Sequence, residues 1–231
     1  MIKQYAVNVE NVGFESLNKY CEFISPERTK RIGRFQREAD KVRGIVAELL
    51  LRYLIIREYG IANQDIFIEY MERGKPFFTG AAKDIHFNIS HAQSYVVCAI
   101  GDSTVGIDVE YAKDKDVKIA SKVLTKDEYA RWNSLPEETR ILEFYRFWTL
   151  KESYSKYIGK GLGIEFNKVN TQEDKDGFWS IAENPECILY SQKLTTEDYL
   201  AVCVDRAKKA ELLQAVQHID ISDITEYYSE G

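Results

Sequence analysis

Two stretches of this chain follow one plan, and that repetition limits the folds open to it. Ser25-Pro26-Glu27-Arg28 is a helix start, with Ser at the N-cap, Pro at the first helical position and an acid in the first turn. Residues 38–59 then set Val42, Ile45, Val46, Leu49, Leu50, Tyr53, Leu54 and Ile56 at core spacing, and Gly60 ends the stretch 35 residues after the cap. The second copy opens on the capping box Thr125-Lys126-Asp127-Glu128, has a short helix to Trp132 and a long one over 138–158, and ends at Gly159, 34 residues on. Short β-like segments follow each long helix. They lie at 66–70, 84–89, 95–100 and 105–110 in the first copy, and near 166–171, 178–182, 187–193 and 199–204 in the second. Tyr-Val-Val-Cys at 95–98 returns as Tyr-Leu-Ala-Val-Cys at 199–203.

The pattern predicts an α+β fold of two similar α/β halves, residues 1–111 and 112–231, related by a pseudo-two-fold. Each half is a small antiparallel sheet packed on a long helix, with a cleft between them. A strand over 2–9 and a helix over 15–24 precede the first cap. Arg73-Gly74-Lys75-Pro76 reads as a turn, and Gly101-Asp102-Ser103 as a hairpin turn between the last two strands of the first half. The linker 111–124 is charged at its start, which suits a partly mobile segment. After Asp205 come an amphipathic helix over 210–216 and an edge strand at 219–221.

Gly106-Ile107-Asp108-Val109-Glu110 carries the first chemical signal. As a strand it puts Val105, Ile107 and Val109 on one face and Asp108 and Glu110 on the other, with the two carboxylates rooted roughly 6–7 Å apart. Converged to about 4 Å with no cation, they would repel by about 4 kcal/mol at an effective dielectric near 20. Such a face meets either open water or a hard cation, and a bare D-x-E is most often just a solvated strand face. The second signal is Trp148-Thr149-Leu150-Lys151-Glu152-Ser153-Tyr154-Ser155-Lys156. Glu152 and Lys156 share a helix face at i and i+4, beside a stripe of Phe144, Phe147 and Trp148. Together the two stretches supply three carboxylates suited to Mg2+ and a lysine suited to phosphate.

Net charge is −6, which argues against nucleic acid as the main partner. No apolar run reaches the ~18 residues of a membrane span, and Met1–Val7 reads as a strand and not a signal peptide. The expected location is cytoplasmic. Cys21, Cys98, Cys187 and Cys203 form no C-x-x-C pair, and His86, His91 and His218 show no zinc spacing. Arg28 and Arg31, with Arg43 on the next helix, can offer guanidiniums to a phosphate, though a basic helix face is more often only solvated.

The pair of stretches resembles the signature of the Sfp-type 4′-phosphopantetheinyl transferase family. That signature is a G-I-D-[VI]-E strand followed, forty-odd residues later, by W-[ST]-x-K-E-[SA]-x-x-K. Phe87-Asn88-Ile89-Ser90-His91 resembles the family's F-N-[IL]-S-H, and Gly74-Lys75-Pro76 its G-K-P turn. The likeness runs over residues 23–170. Arginine at 28 and 31 replaces the usual lysine, and Gly44 and Ala92-Gln93 depart from the family pattern.

The resemblance implies Mg2+-dependent transfer of 4′-phosphopantetheine from coenzyme A to a serine of an acyl or peptidyl carrier protein, releasing 3′,5′-ADP. Mn2+ could substitute for Mg2+. Asp108, Glu110 and Glu152 would hold the metal, and Glu152, Lys156 and His91 would be catalytic. Coenzyme A would meet Arg28, Arg31, Arg43, Arg73, Gly74, Lys75, Pro76, Ser90, His91 and Lys156. The first half would take the nucleotide. The second half and the linker 111–124 would take the carrier protein, and the enzyme would act as a monomer. Two rivals stand beside this reading. One is a D-x-E-x-x-K metal nuclease using Asp108, Glu110 and Lys113, whose lysine is one position out of register. The other is a non-catalytic carrier or nucleotide binder, which has no need of three metal carboxylates.

Overall fold

The computed structural model describes residues 1–112 and 114–230. Lys113, the lysine of the nuclease reading, lies outside the described residues. The first half runs β1 (Lys3–Asn8), α1 (Phe14–Asn18), α2 (Pro26–Ile32), α3 (Glu38–Tyr59), β2 (Ile66–Tyr70), β3 (Pro76–Gly80), β4 (His86–Ala92), β5 (Tyr95–Gly101) and β6 (Val105–Tyr111). The second runs α4 (Ala120–Val123), α5 (Lys126–Asn133), α6 (Glu137–Ile158), β7 (Thr171–Glu173), β8 (Phe178–Ile181), β9 (Asn184–Lys193) and β10 (Asp198–Asp205). A tail adds β11 (Gln217–His218) and α7 (Ile221–Glu230).

The repeated plan is present in the fold. Helices α3 and α6 are each 22 residues long, and each ends on a left-handed glycine, Gly60 at φ 68° and Gly159 at φ 71°. Ser25 caps α2 by accepting the Arg28 N–H, and Thr125 and Glu128 form the full reciprocal box on α5. Strand order is β11-β1-β5-β4 in one sheet and β6-β10-β9-β8-β7 in the other, with β2-β3 a separate hairpin. One apolar core lies on α3, another on α6. A third joins the halves, where Ile2, Ala6, Val97 and Ala99 meet Ile107, Leu200 and Val202.

The structure corrects several expectations. Gly101-Asp102-Ser103 does not turn a hairpin. Strand β6 leaves the first sheet and pairs antiparallel with β10, Asp108 opposite Ala201. The sheets therefore divide between Gly101 and Val105, not after Tyr111. The reason is burial on both faces. Val105, Ile107 and Val109 enter the core between the sheets, while Gly106 lies under α6. The acidic face of β6 thus meets a helix and not open water. The edge of β6 away from β10 is satisfied by a side chain, since Asn88 Oδ1 accepts the Ile107 N–H at 2.9 Å.

Smaller differences are local. The helix expected over 15–24 breaks into α1 and a 3-10 turn, Lys19–Phe23. The strand expected at 84–89 lies at 86–92, and β3 was not anticipated. Phe166–Lys168 is a 3-10 turn, so that strand starts only at Thr171. The tail helix expected over 210–216 is a 3-10 segment, Arg206–Leu213, and the edge strand is Gln217–His218, parallel to β1. Helix α7 then packs into the core of the first half through Ile224 and Tyr228. No described helix is long and apolar enough to cross a membrane.

Candidate active site

Helix α6 crosses β6 at Gly106, where any Cβ would collide with the Ser153 carbonyl and the Tyr157 N–H. That close approach carries Glu152 and Lys156 to the acidic face of the strand. Lys156 Nζ lies 2.6 Å from Asp108 Oδ1 and 2.7 Å from Ser90 Oγ. Ser90 Oγ in turn donates to the same Asp108 oxygen at 2.8 Å. A strand of the first sheet, an edge strand of the second and the long helix therefore meet in one hydrogen-bonded group.

Glu110 and Glu152 lie within electrostatic reach of it. Burial, then the charges of Asp108 and Glu152, push the Glu110 carboxyl up to about 8, with Lys156 and Trp148 opposing the rise. Burial, then Asp108, push Glu152 up to about 7, while Lys156 opposes the rise. Asp108 is raised by burial, with Lys156 and Ser90 pulling the other way. Three partly desolvated carboxylates that resist joint ionisation form a site a cation would stabilise. Asp108 Oδ2 is buried without a hydrogen-bond partner among the described residues, and the carboxylates offer hard oxygens, so the residues suit a divalent ion such as Mg2+ in kind. As they stand, no three His, Cys, Asp or Glu side chains among the described residues converge closely enough to cage one.

Beside this group opens a cleft of about 160 Å³, smaller than the roughly 300–1,000 Å³ of most small-ligand sites and open to solvent on one side. Arg28, Arg31, Gly74, Pro76 and His91 line it, with Leu51, Ile68, Tyr70, Phe87 and Ile89 as an apolar wall. The Arg28 Nε–H donates to the Gly44 carbonyl at 3.1 Å. At Gly44 a Cβ would come within 2.9 Å of Ile32, so the departure from the family pattern lets α2 lie close on α3. Crowding by the surrounding protein, then the positive charges of Arg43, Lys156 and Arg28, lower the pKa of His91, and although one side of the residue is open to solvent the ring is neutral at pH 7.

The other expected ligand residues sit elsewhere. Arg43 is engaged by Asp40 and by the Gln93 carbonyl, outside the lining of the cleft. The Lys75 ammonium bridges the Val105 carbonyl (3.3 Å) and the Tyr157 carbonyl (3.0 Å), tying the turn to β6 and α6. Arg73 lies against Gly163 in the loop after α6.

Comparison with known proteins decides the family. Residues 104–204 match the model of the 4′-phosphopantetheinyl transferase superfamily, and residues 14–103 match a 4′-phosphopantetheinyl transferase N-terminal model. The chain is 35% identical to the 4′-phosphopantetheinyl transferase gsp of Aneurinibacillus migulanus, over 83% of this chain and 76% of that one. It is 32% identical to the 4′-phosphopantetheinyl transferase Sfp of Bacillus subtilis, over 82% and 85%. The chain belongs to the 4′-phosphopantetheinyl transferase superfamily. The two family models meet between residues 103 and 104, inside the segment where the sheets divide. A holo-(acyl-carrier-protein) synthase of Bacillus anthracis aligns with 45% of the chain at 21% identity and a TM-score of 0.39, too low to bear on the fold.

Three residues of the transferase site escaped the sequence reading. Trp148 was placed in an apolar stripe, yet its ring also stands beside the Glu110 carboxyl and favours its ionised form. Asn88 was read only as part of a motif, yet it fastens β4 to β6. Lys151, the first charged residue of the Lys-Glu-Ser run, is fully buried. Its ammonium donates to the Val123 and Phe166 carbonyls at 2.8 Å and to Glu128. A lysine between apolar residues on the buried side of a long helix was the available signal for such an anchor.

Proposed function

We propose that this transferase moves the 4′-phosphopantetheine group of coenzyme A to a serine hydroxyl of an acyl or peptidyl carrier protein in a Mg2+-dependent reaction. The observation that carries the reading is the Ser90–Asp108–Lys156 group, adjoining a cleft lined with arginine. Arg28 and Arg31 would bind phosphate oxygens at the nucleotide end of coenzyme A. Asp108, Glu110 and Glu152 would hold Mg2+, which neutralises charge on the diphosphate when bound. Glu152, or a water it orients, would take the serine proton. The serine oxygen forms its bond to the pantetheine phosphorus as the bond to 3′,5′-ADP breaks. Lys156 and a neutral His91 N–H would stabilise charge on the phosphoryl oxygens. The first half takes the nucleotide, and the carrier docks on the second half and the segment 111–124. The enzyme acts as a cytoplasmic monomer, without nucleic acid.

Incubation with coenzyme A, Mg2+ and an apo carrier protein is expected to add about 340 Da to the carrier, and chelation to abolish the gain. No gain with fatty acid, polyketide and peptide carriers alike would overturn the proposal.

A further inference from the structure

The geometry points to Glu48 as a positioning residue that sets selectivity for the phosphorylated end of the nucleotide by anchoring α2. This inference rests on the proposed use of Arg28 and Arg31 for a phosphate of coenzyme A.

Glu48 sits on α3, is 4% exposed and lines the cleft with both arginines. Both of its carboxylate oxygens are engaged. Oε1 accepts the Ser25 N–H at 2.7 Å and the Arg52 Nε–H at 2.9 Å, and Oε2 accepts the Ser25 hydroxyl at 3.0 Å. Arg52 continues to the carbonyl and side-chain oxygen of Asn63, and the Asn63 amide donates to the Phe23 carbonyl. The segment 23–25 that leads into α2 is therefore pinned at both ends by one buried network. The Ser25 hydroxyl also accepts the Arg28 N–H at the helix start.

Helix α2 is only seven residues long and carries the two cleft arginines. So short a helix has little direction of its own, and its tilt follows from its anchor. Both Glu48 oxygens are held by Ser25 and Arg52, so its effect on substrate passes through α2. A guanidinium displaced by about 1 Å loses a paired contact with phosphate, but loses little against a ligand that lacks the phosphate.

The test compares coenzyme A with 3′-dephospho-coenzyme A as substrates for the full-length enzyme. Wild type is expected to prefer coenzyme A in kcat/KM. In Glu48→Gln that preference should fall at least fivefold, through a raised KM for coenzyme A and with kcat held within about twofold. Ser25→Ala should move the ratio the same way and serves if Glu48→Gln does not fold, while Ser25→Thr should restore it. A lower melting temperature with an unchanged ratio in both variants would overturn the positioning role and leave the arginine assignment standing. No preference in wild type would overturn both.

Discussion

Lys156 Nζ lies 2.6 Å from Asp108 Oδ1, so the helix and the edge strand are joined by an ion pair whose acid is 2% exposed. Removing one partner of a buried pair strands the other. Because Lys156 itself is 24% exposed, Lys156→Met should cost about 3 kcal/mol, the low end for such pairs. Adding Asp108→Asn should return most of that stability without restoring turnover. Urea melts of the singles and the double check this, and a double mutant no more stable than Lys156→Met would refute it.

Gly106→Ala should separate α6 from β6, because the new methyl meets backbone on the helix and no flexible side chain can yield. Overpacking of this kind costs about 1–3 kcal/mol. Turnover should fall more than stability suggests, since Glu152 and Lys156 ride on the displaced turn. Chemical denaturation beside a transfer assay measures both.

Glu152→Gln keeps the size of the side chain but cannot take a proton. Transfer should drop by about 10²–10⁴-fold, while coenzyme A still binds when followed by calorimetry. Undiminished transfer would remove Glu152 from the chemistry.

Lys75 gives the stability a pH dependence. Burial lowers its pKa from 10.5 to about 8 in the folded chain. Between these values the unfolded chain holds a proton that the folded chain has released. Stability therefore rises as pH goes from about 8 to 10.5, by the linkage of proton binding to folding. Lys75→Met should flatten that rise in melts taken across the interval.

Tyr228 is buried in the core of the first half, and its hydroxyl has no hydrogen-bond partner among the described residues. Tyr228→Phe should therefore be neutral or stabilising by about 1 kcal/mol. Tyr228→Ala should cost about 3–5 kcal/mol, as for other large-to-small aromatic changes. Thermal melts distinguish the two.

The parts legible in the sequence were those set by local chemistry. Ser25, Thr125, Gly60 and Gly159 mark their helix ends because caps and left-handed glycines act within a few residues. That Asp108 and Lys156 lie close together was expected from two motifs and a resemblance, whereas their direct ion pair was not. What stayed hidden depends on long-range pairing. A strand such as β6 carries no mark of which sheet it joins, and both answers bury Val105, Ile107 and Val109. The arginines divided in the same way. Arg28 and Arg31 line the cleft, whereas Arg43 is drawn to Asp40 and the Gln93 carbonyl, and the charge pattern did not separate them. The tail misled because its short, mixed segments have little helical period, and α7 owes its burial to a groove 160 residues and more upstream.

That groove has a bearing on biosynthesis. Phe23 and Tyr53 receive Tyr228 and Tyr227, and Tyr20 meets Ser229, yet the ribosome makes those partners only after the whole second half. The half made first thus waits, with an oily trough uncovered, for α7 to emerge. Nascent chains stalled before residue 221 should bind chaperones that chains carrying α7 have already shed.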